Sequence, residues 1–362
     1  TNDAILVADI GTSSVKAAVM TRHGDLLAQG RERVMGPSEP SDAFDAERWI
    51  DALKRTIPHL AARYAIDAVV VSGNGPTIVA VDGDGGVLDR PLLWMDRRTH
   101  TIGETRSFYL PKIAWFEEHS AQAERVRWYL PFPEFVLYRL TGEAVAVVPS
   151  DEFTAYVWSD AEIERYGVDR RRLPPFVSIG SVVGRVTVEA AEWLGVPAGV
   201  PVSAAGPDFL MSLVGTGVLR PGRTCDRAGT SEGINHCTDT AISRPGVRTL
   251  PHVIPGLYNV AGILSSTGLL FEWFREISGQ GSRDYGAMML DILNVPDGAE
   301  IPWFFPSVHR GAAWEFRRGM FIGLGAEHNS AAMGRAVVLS IGFAVREAVE
   351  VLQDAGAAIT RL

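Results

Sequence analysis

Two short polar turns of similar sequence each separate a pair of β-forming runs. The first turn reads Gly11-Thr12-Ser13-Ser14. It follows an apolar run that ends at Asp9, and the run after it carries Lys16. Glycine lets a ligand approach the backbone because it has no Cβ atom, and successive N–H groups with small hydroxyls form a cradle for anions. An ordinary hairpin with a polar tip is the open alternative for so short a pattern.

Asp9 places a negative charge beside this candidate anion site. Because like charges repel, we expect Asp9 not to hold a phosphate itself. Its predicted role is to bind Mg²⁺, directly or through water, so that the ion bridges phosphate oxygens.

The second turn reads Gly229-Thr230-Ser231. It lies between strands predicted over 224–228 and 234–237, and so repeats the arrangement of the first turn. Further on, residues 260–273 predict a strand, a small-residue turn that ends at Gly268, and a helix. Two such hairpins in two halves of a chain are the pattern expected of a nucleotide held between two domains.

Asp208 is the candidate for proton transfer. A mostly apolar run over 202–205 is broken by Gly206-Pro207, and residues 209–214 then predict a helix. A carboxylate at a helix N-terminus is held ionised by the helix dipole, which suits a general base. A plain helix cap is the alternative.

Trp94 and Asp96 lie in a run over 91–98 that predicts a strand, in which they face the same side. An indole face beside a carboxylate suits a polyol, because the carboxylate accepts hydrogen bonds from hydroxyls. A core tryptophan beside an exposed acid is the alternative. An earlier loop, residues 72–77, is too rich in turn formers to be helical.

Length and composition narrow the class of protein. The chain of 362 residues is long enough for two domains, and it is 46% hydrophobic and 21% charged, as in ordinary globular proteins. A net charge of −9 argues against a nucleic-acid partner. Two cysteines are too few for a disulfide framework or a zinc site, and no apolar run approaches a membrane span. We therefore expect a cytoplasmic protein with no membrane partner and no visible signal peptide.

Local patterns predict the elements around these residues. Strands over 5–8, 15–20 and 26–34 form an antiparallel meander, which argues against a Rossmann site because its glycine turn must open a helix. The GxxxxGK[ST] pattern of a P-loop is also missing. Helices are predicted over 112–119, 122–128, 135–140 and 330–355, the last with glycines at 334 and 342 that allow close packing.

Six motifs, in this order along the chain, resemble those of the FGGY family of carbohydrate kinases, within the actin, hexokinase and heat-shock ATPase superfamily. The first phosphate motif is matched by 9–16, the sugar-side W-x-D-x-R stretch by 93–98, and the P-K-x-x-W helix start by 110–115. The G-x-D of the catalytic base is matched by 206–208, the second phosphate motif by 229–231, and a glycine-to-tryptophan helix start by Gly268 and Trp273. Six motifs in family order are specific, whereas any one alone is not.

The resemblance implies an α/β fold of two ribonuclease H-like (actin-like ATPase) domains with a cleft between them. It implies a sugar-binding domain over 1–240 and a nucleotide-binding domain over 241–362, the second incomplete in this sequence. The implied activity is transfer of phosphate from ATP, with Mg²⁺, to a hydroxyl of a pentulose or polyol, as in xylulokinase-like enzymes. A homodimer is a family-level expectation.

The resemblance also implies roles for single residues. Asp208 is the general base and also contacts the sugar, and Asp9 is the metal ligand. The implied nucleotide-binding residues are Gly11, Thr12, Ser13, Ser14, Lys16, Gly229, Thr230, Ser231 and Gly268. The implied sugar-binding residues are Asn74, Gly75, Pro76, Trp94 and Asp96.

Three stretches depart from the family pattern. Gly75 and Pro76 stand where xylulokinases usually carry Met-His, and the Arg-Glu pair of glycerol kinases is not found nearby. Xylulose and glycerol are therefore less favoured as substrates. The stretch over 98–111 is shorter than usual. No glycine-rich adenosine motif follows the last helix, and we expect that further residues belong there, since that helix would otherwise expose an apolar face.

Two other functions stay open. A non-catalytic nucleotide- or sugar-binding member of the superfamily is favoured by the missing adenosine segment, whereas the intact Asp9, Asp208 and both turns favour a kinase. A filament-forming relative of actin would leave Trp94 and Asp96 without a role.

Overall fold

A computed structural model describes residues 4–36, 39–229, 231–264, 267–306 and 318–359. Its strands are β1 (Ala4–Ile10), β2 (Ser14–Thr21), β3 (Leu26–Arg33), β4 (Ile66–Gly73), β5 (Ile78–Val81), β6 (Trp128–Pro131), β7 (Ala146–Val148), β8 (Phe176–Ser178), β9 (Val182–Arg185), β10 (Pro201–Pro207), β11 (Thr224–Ala228), β12 (Glu232–Thr238), β13 (Arg248–Pro251), β14 (Tyr258–Leu264), β15 (Trp303–Phe305) and β16 (Met320–Ile322). Its helices are α1 (Glu47–Ala61), α2 (Leu110–His119), α3 (Glu134–Thr141), α4 (Thr154–Val157), α5 (Asp160–Tyr166), α6 (Val188–Leu194), α7 (Asp208–Gly215), α8 (Thr267–Ile277), α9 (Tyr285–Leu293) and α10 (Ser330–Asp354). Short 3₁₀ helices cover Ser41–Ala43, Ala123–Arg125, Asp151–Phe153 and Arg170–Arg172.

The contacts within the chain divide it into two compact units, Thr1–Ser212 and Leu213–Leu362. This boundary lies earlier than the one predicted from sequence, which followed residue 240. The reason is that β11 pairs with β12, and β12 pairs with β14, so residues 224–238 belong to the sheet of the second unit.

A six-stranded sheet in the order β3-β2-β1-β4-β10-β9 forms the first unit. β1, β2 and β3 are an antiparallel meander, as predicted, whereas β1, β4 and β10 run parallel to one another. Along β1 the alternate residues Ala4, Leu6, Ala8 and Ile10 are buried, which is the period of two expected of a strand with one face on a core.

Helix α1 covers one part of this core. Its N-terminus is capped by Asp45, whose Oδ1 accepts the N–H of Glu47 at 3.0 Å. Its buried face carries Trp49, Leu53 and Ile57, a spacing of three to four residues that places them on one side of a helix. The Trp49 ring also packs against Phe132 at a tilt of 33°, with ring centroids 4.0 Å apart, and so connects α1 to the segment before α3.

The second unit is built on an antiparallel sheet in the order β11-β12-β14-β13. The predicted long helix, α10, packs on this sheet, since a Cβ at Gly262 of β14 would lie 3.1 Å from the Cβ of Ala348. Gly334 allows close packing as predicted, because a Cβ there would lie 2.8 Å from Ile292. At Gly342 no atom of the described residues lies within 4 Å of a Cβ built there, so close packing is not seen at that position.

Two predicted elements are wrong. Residues 91–98 do not form a strand: Leu92 makes one isolated bridge to Ile78, and the chain then turns. The helix predicted over 122–128 is reduced to a 3₁₀ turn at Ala123–Arg125, because Trp128 begins β6 and pairs with Val81 of β5. At 122–128 a long-range strand pairing outweighs the local pattern, whereas at 91–98 the chain is held as a turn, closed by the Asp96 N–H on the Leu93 carbonyl.

Within the described ranges, no helix combines the length and the apolar character needed to cross a membrane.

Candidate active site

Three parallel strands of the first unit end side by side, and each is followed by a segment that the sequence singles out. In the register of the sheet, Asp9 of β1 lies beside Ser72 of β4, and Gly73 of β4 lies beside Pro207 of β10. The Ser72 hydroxyl donates to the Gly206 carbonyl at 2.8 Å and ties the ends of β4 and β10 together. The carboxyl ends of parallel strands form a common edge, where ligands bind in open α/β sheets. The first turn, the 72–77 loop and Asp208 therefore meet at one edge.

The first turn is closed by its own backbone. The Gly11 N–H donates to the Ser14 carbonyl at 3.0 Å, and the Trp49 indole N–H donates to the Gly11 carbonyl at 3.1 Å. A Cβ at Gly11 would lie only 2.8 Å from the Ser14 carbonyl oxygen. Glycine is required here because the turn folds back so tightly on itself.

Asp9 and Lys16 face each other across β1 and β2. The Lys16 Nζ lies 3.1 Å from Asp9 Oδ2, and this pair is partly exposed. The other carboxylate oxygen, Oδ1, is buried and has no hydrogen-bond partner in the part of the chain that the structure describes. A buried acceptor without a donor is costly, so this atom fits a site where a cation or a ligand completes the contact.

Asn74 fixes the 72–77 loop onto the end of β1. Its backbone N–H and its side-chain Nδ2 both donate to the Ile10 carbonyl, at 2.9 and 3.0 Å. Its Oδ1 accepts the Thr77 hydroxyl at 2.9 Å, and the side chain is buried. The amide of Asn74 thus positions the loop that carries Gly75 and Pro76. Both of these residues are partly exposed.

Trp94 connects this loop to the first turn. Its backbone N–H donates to the Thr77 hydroxyl at 3.0 Å, and its indole N–H donates to the Thr12 hydroxyl at 2.9 Å. Three segments that are far apart in the sequence are therefore joined by side-chain hydrogen bonds.

Asp96 is held differently from the sequence prediction. Trp94 and Asp96 were expected on one face of a strand. Instead, the Asp96 N–H donates to the Leu93 carbonyl at 2.9 Å and closes a turn. The Asp96 side chain is buried and accepts the Arg98 guanidinium, with Nη2 at 2.5 Å from Oδ2. The carboxylate is thus occupied by Arg98 and fixes the turn that carries Trp94.

Lys112 binds the carbonyl groups of the turn that carries Trp94, a role that the motif match alone did not assign. Its Nζ is buried and donates to the carbonyls of Leu93 and Asp96, at 2.6 and 3.3 Å. Burial lowers the pKa of Lys112 to about 8, because a low-dielectric site disfavours the charged form. The signal that could have identified it is a lysine on the otherwise buried first turn of α2.

Asp208 is the first residue of α7, as the sequence predicted. The chain reaches it through Gly206, which has a φ of +102° and so adopts a backbone conformation that favours glycine. A Cβ at Gly206 would lie 2.9 Å from Ile179 Cγ2. The Ser212 hydroxyl donates to the Asp208 carbonyl at 2.9 Å and secures the first turn of the helix.

Tyr109 lies beside the 72–77 loop, since a Cβ at Gly75 would be 3.4 Å from its hydroxyl. It was missed at the sequence level, as was the buried Glu134. Glu134 is buried, and its Oε1 accepts the Val147 N–H at 2.8 Å. Burial raises the pKa of this carboxyl to about 7. Burial raises the pKa of Tyr109, together with the charge of Glu134. Neither residue belongs to a local pattern, because their neighbours come from distant segments.

The second turn joins β11 and β12, as predicted, with Ala228 opposite Glu232. A Cβ at Gly229 would lie 3.4 Å from the Ser231 carbonyl oxygen, whereas Thr230 lies outside the described residues. Glu232 follows the turn and is buried, and burial raises its pKa to about 7, with the carboxylate of Asp226 acting in the same direction. Gly268 is the second residue of α8.

Comparison with known families identifies the family to which the chain belongs. The profile of the FGGY family of carbohydrate kinases, N-terminal domain, matches residues 4–108 and 103–215, and that of the C-terminal domain matches residues 227–362. The chain belongs to the FGGY family of carbohydrate kinases. It is therefore a sugar kinase, an enzyme that transfers a phosphoryl group to an alcohol group.

Relatives of this FGGY chain include xylulose kinase of Escherichia coli (strain K12), which is 23% identical over 96% of this chain and 78% of its own length. Autoinducer-2 kinase of Salmonella typhimurium is 26% identical over 92% of this chain and 72% of its own length. The crystal structure of xylulose kinase from Rhodospirillum rubrum is similar over 99% of this chain and 80% of the xylulose kinase chain. The TM-score is 0.74 and the sequence identity is 23%. That structural likeness supports the two-domain actin-like fold of the family.

Proposed function

We propose that the protein phosphorylates a hydroxyl of a pentulose-type sugar or polyol at the expense of ATP, with Asp208 as the general base. One observation carries the proposal: Asp208 opens α7 at the same sheet edge as the first turn and the 72–77 loop. A helix N-terminus favours the ionised carboxylate, which can take the proton of the attacking hydroxyl. From here on, the 72–77 loop is called the sugar loop.

Residues for nucleotide binding are proposed in each unit separately. In the first unit, the backbone of Gly11, Thr12, Ser13 and Ser14 together with the ammonium of Lys16 would bind phosphate oxygens. In the second unit, Gly229, Thr230, Ser231 and Gly268 would bind the nucleotide. When bound, ATP supplies the phosphoryl group that is transferred. These residues contribute by positioning and by charge neutralisation.

Asp9 is the proposed ligand for Mg²⁺. Support comes from its buried Oδ1, which lacks a partner among the residues that the structure describes. No group of three or more His, Cys, Asp or Glu side chains in those same residues could hold a metal ion. One carboxylate is sufficient for Mg²⁺, which usually keeps several waters and binds substrate phosphates.

The sugar side is proposed to comprise Gly75, Pro76, Trp94 and Asp208, with Asn74 and Asp96 holding the segments in place. The names of the relatives, xylulose kinase and autoinducer-2 kinase, support an acceptor with several hydroxyls. The indole of Trp94 offers an apolar face to the carbon chain of such an acceptor, while its N–H is occupied by Thr12.

A coupled ADP-release assay over a panel of pentuloses, hexuloses and polyols tests the proposal. Wild-type protein should turn over at least one acceptor, and Asp208→Asn should lower kcat by about 10²- to 10⁴-fold. Asp160→Asn is the matched control, because Asp160 also begins a helix, α5, but lies outside the proposed site. Near-normal turnover by Asp208→Asn would remove Asp208 as the base.

The second candidate is a nucleotide- or sugar-binding member of the same superfamily without catalysis. Binding of ATP and of a sugar without any ADP release in the same panel would favour it over the kinase.

Two further proposals concern the protein as a whole. A cytoplasmic location is supported by Cys225 and Cys237, which are free and buried thiols, as expected in a reducing compartment. A homodimer stays a prediction from the family resemblance, and sedimentation velocity would test it.

A further inference from the structure

Tyr109 presents a hydroxyl that the described part of the protein does not use. The side chain is 7% exposed, and its ring packs edge-to-face with Trp158 at 6.0 Å between centroids. In the described part of the chain, the hydroxyl of Tyr109 makes no hydrogen bond. Tyrosine hydroxyls in such positions usually find a partner. Among the described residues this oxygen is not one of the fully buried atoms without a partner, so it is open to a group that is not part of the chain.

Gly75 leaves the space in front of this hydroxyl open. A Cβ built at Gly75 would lie 3.4 Å from Tyr109 Oη and 3.5 Å from the Phe132 carbonyl oxygen. Those are ordinary contact distances, so a side chain would fit there and would cover the hydroxyl. With glycine at this position, the hydroxyl faces the sugar loop without an intervening side chain.

The position of Tyr109 relative to the proposed reaction follows from the sheet. Gly75 lies two residues beyond Gly73, which pairs with Pro207, and Pro207 directly precedes Asp208. The hydroxyl of Tyr109 is thus next to the same loop that connects the strand ends at the proposed acceptor site. A neutral phenol both donates and accepts a hydrogen bond, which matches a sugar hydroxyl.

Tyr109 stays in this neutral form. Burial raises its pKa well above the ordinary value for tyrosine, and the charge of Glu134 acts in the same direction. The phenol therefore keeps its proton for a hydrogen bond throughout the physiological range of pH.

We propose that Tyr109 is a substrate-binding residue whose hydroxyl hydrogen-bonds a hydroxyl of the acceptor sugar, and that Gly75 gives the sugar access to it. This proposal rests on the proposed function, because it names one group that selects the acceptor. An acceptor without a hydroxyl at the matching carbon would leave the phenol unpaired and bind less well.

Tyr109→Phe is the direct test. We expect the KM for the acceptor to rise about five- to tenfold, the effect of one neutral hydrogen bond, with the KM for ATP unchanged. The melting temperature should stay the same, because no hydrogen bond within the protein is lost. An unchanged KM for the acceptor in Tyr109→Phe would overturn the proposal, and so would a lowered melting temperature without a KM effect.

Tyr129→Phe is the matched control. Its hydroxyl donates to Glu117 Oε1 at 2.8 Å in a buried position on β6, away from the sugar loop. This variant should lose thermal stability and keep the KM for the acceptor, the opposite of Tyr109→Phe.

Gly75→Ala provides a second, independent arm. The added methyl group would cover the Tyr109 hydroxyl, so the KM for the acceptor should rise while Gly75→Ala/Tyr109→Phe shows no further increase. Fully additive effects would contradict the proposal. Lack of turnover by the wild type on every acceptor would instead refute the proposed function, and the Tyr109 proposal with it.

Discussion

The indole nitrogen of Trp94 donates a 2.9 Å hydrogen bond to the hydroxyl of Thr12. These residues come from segments proposed to bind different substrates, Thr12 from the first turn and Trp94 from the sugar side. Trp94 is also bound through its backbone N–H to Thr77 of the sugar loop. A change in the position of one segment is therefore passed directly to the other.

The first prediction is that Thr12 and Trp94 are energetically coupled. Thr12→Val leaves the indole N–H without its acceptor in a partly buried place, which should cost about 1–3 kcal/mol in the free energy of unfolding. After Trp94→Phe the same Thr12→Val change should cost less, giving a coupling energy of about 1 kcal/mol. Urea unfolding of the four proteins of this double-mutant cycle measures it. Additive losses would show that the hydrogen bond contributes nothing.

Local sequence patterns predicted those parts of the fold whose partners are close in the sequence. The β1–β3 meander, the β11–β12 hairpin and α10 are such cases, because adjacent strands or successive helical turns carry their own periodicity. Residues 122–128 were predicted wrongly because Trp128 pairs with Val81 of β5. Residues 91–98 were predicted wrongly because they form a turn whose Leu93 carbonyl is bound by Lys112 of α2. Such long-range contacts leave no trace in a short window of sequence.

The candidate site follows the same division. Asp9, Asp208 and the two turns could be proposed from sequence because a strand end, a glycine and a polar residue stand together at each of them. Tyr109 and Glu134 were not found, because their significance is spatial. The hydroxyl of Tyr109 reaches Gly75 across the fold, and Glu134 is buried against Val147. Both stand at the start of a helix, Tyr109 at the N-cap of α2 and Glu134 in the first turn of α3, and such a position does not by itself indicate a site.

A second prediction concerns Asp9. If Asp9 helps to hold Mg²⁺, Asp9→Asn should raise the Mg²⁺ concentration needed for half-maximal activity by about tenfold or more, since a neutral amide attracts the cation less. The free energy of unfolding should change by less than about 1 kcal/mol, because the Asp9–Lys16 ion pair is partly exposed. Titration of activity with Mg²⁺ gives the answer. Asp67→Asn, on the exposed part of β4, is the control that should leave the Mg²⁺ requirement unchanged.

The third prediction is a pH dependence of stability that comes from Glu134. Its pKa in the folded protein is about 7 against an ordinary value of 4.5, so the folded state holds the proton more tightly than the unfolded state. The contribution of Glu134 to the free energy of unfolding should therefore be highest below pH 4.5. It should fall between about pH 4.5 and 7 and stay constant above pH 7. The loss amounts to about 3 kcal/mol.

Glu134→Gln tests this dependence because glutamine keeps an acceptor for the Val147 N–H and does not titrate. The fall in unfolding free energy between pH 5 and pH 8 should be smaller in Glu134→Gln than in the wild type. Glu143→Gln changes an exposed glutamate just beyond α3 and should follow the wild-type curve. If Glu134→Gln and the wild type lose stability in parallel, the buried carboxyl is not the cause.

The last prediction separates backbone strain from steric contact at Gly206. Gly206 and Gly199 both have positive φ angles, +102° and +88°. A Cβ at Gly206 would meet Ile179 Cγ2 at 2.9 Å, whereas no atom of the described ranges lies within 4 Å of one at Gly199. Gly199→Ala should therefore cost only the conformational penalty, about 1–2 kcal/mol. Gly206→Ala should cost about 1–3 kcal/mol more, the penalty of an overpacked contact.

Gly206 also stands two residues before Asp208, so its substitution should displace the start of α7. We expect Gly206→Ala to lower kcat together with stability, and Gly199→Ala to lower stability alone. Shortening the opposing side chain with Ile179→Ala should restore part of both losses in the Gly206→Ala background, because it removes the atom that the new methyl group meets. Urea unfolding and the ADP-release assay measure the two quantities. Equal destabilisation by the two alanine substitutions would mean that the contact with Ile179 is relieved at no cost, and that glycine at position 206 is needed for its φ angle alone.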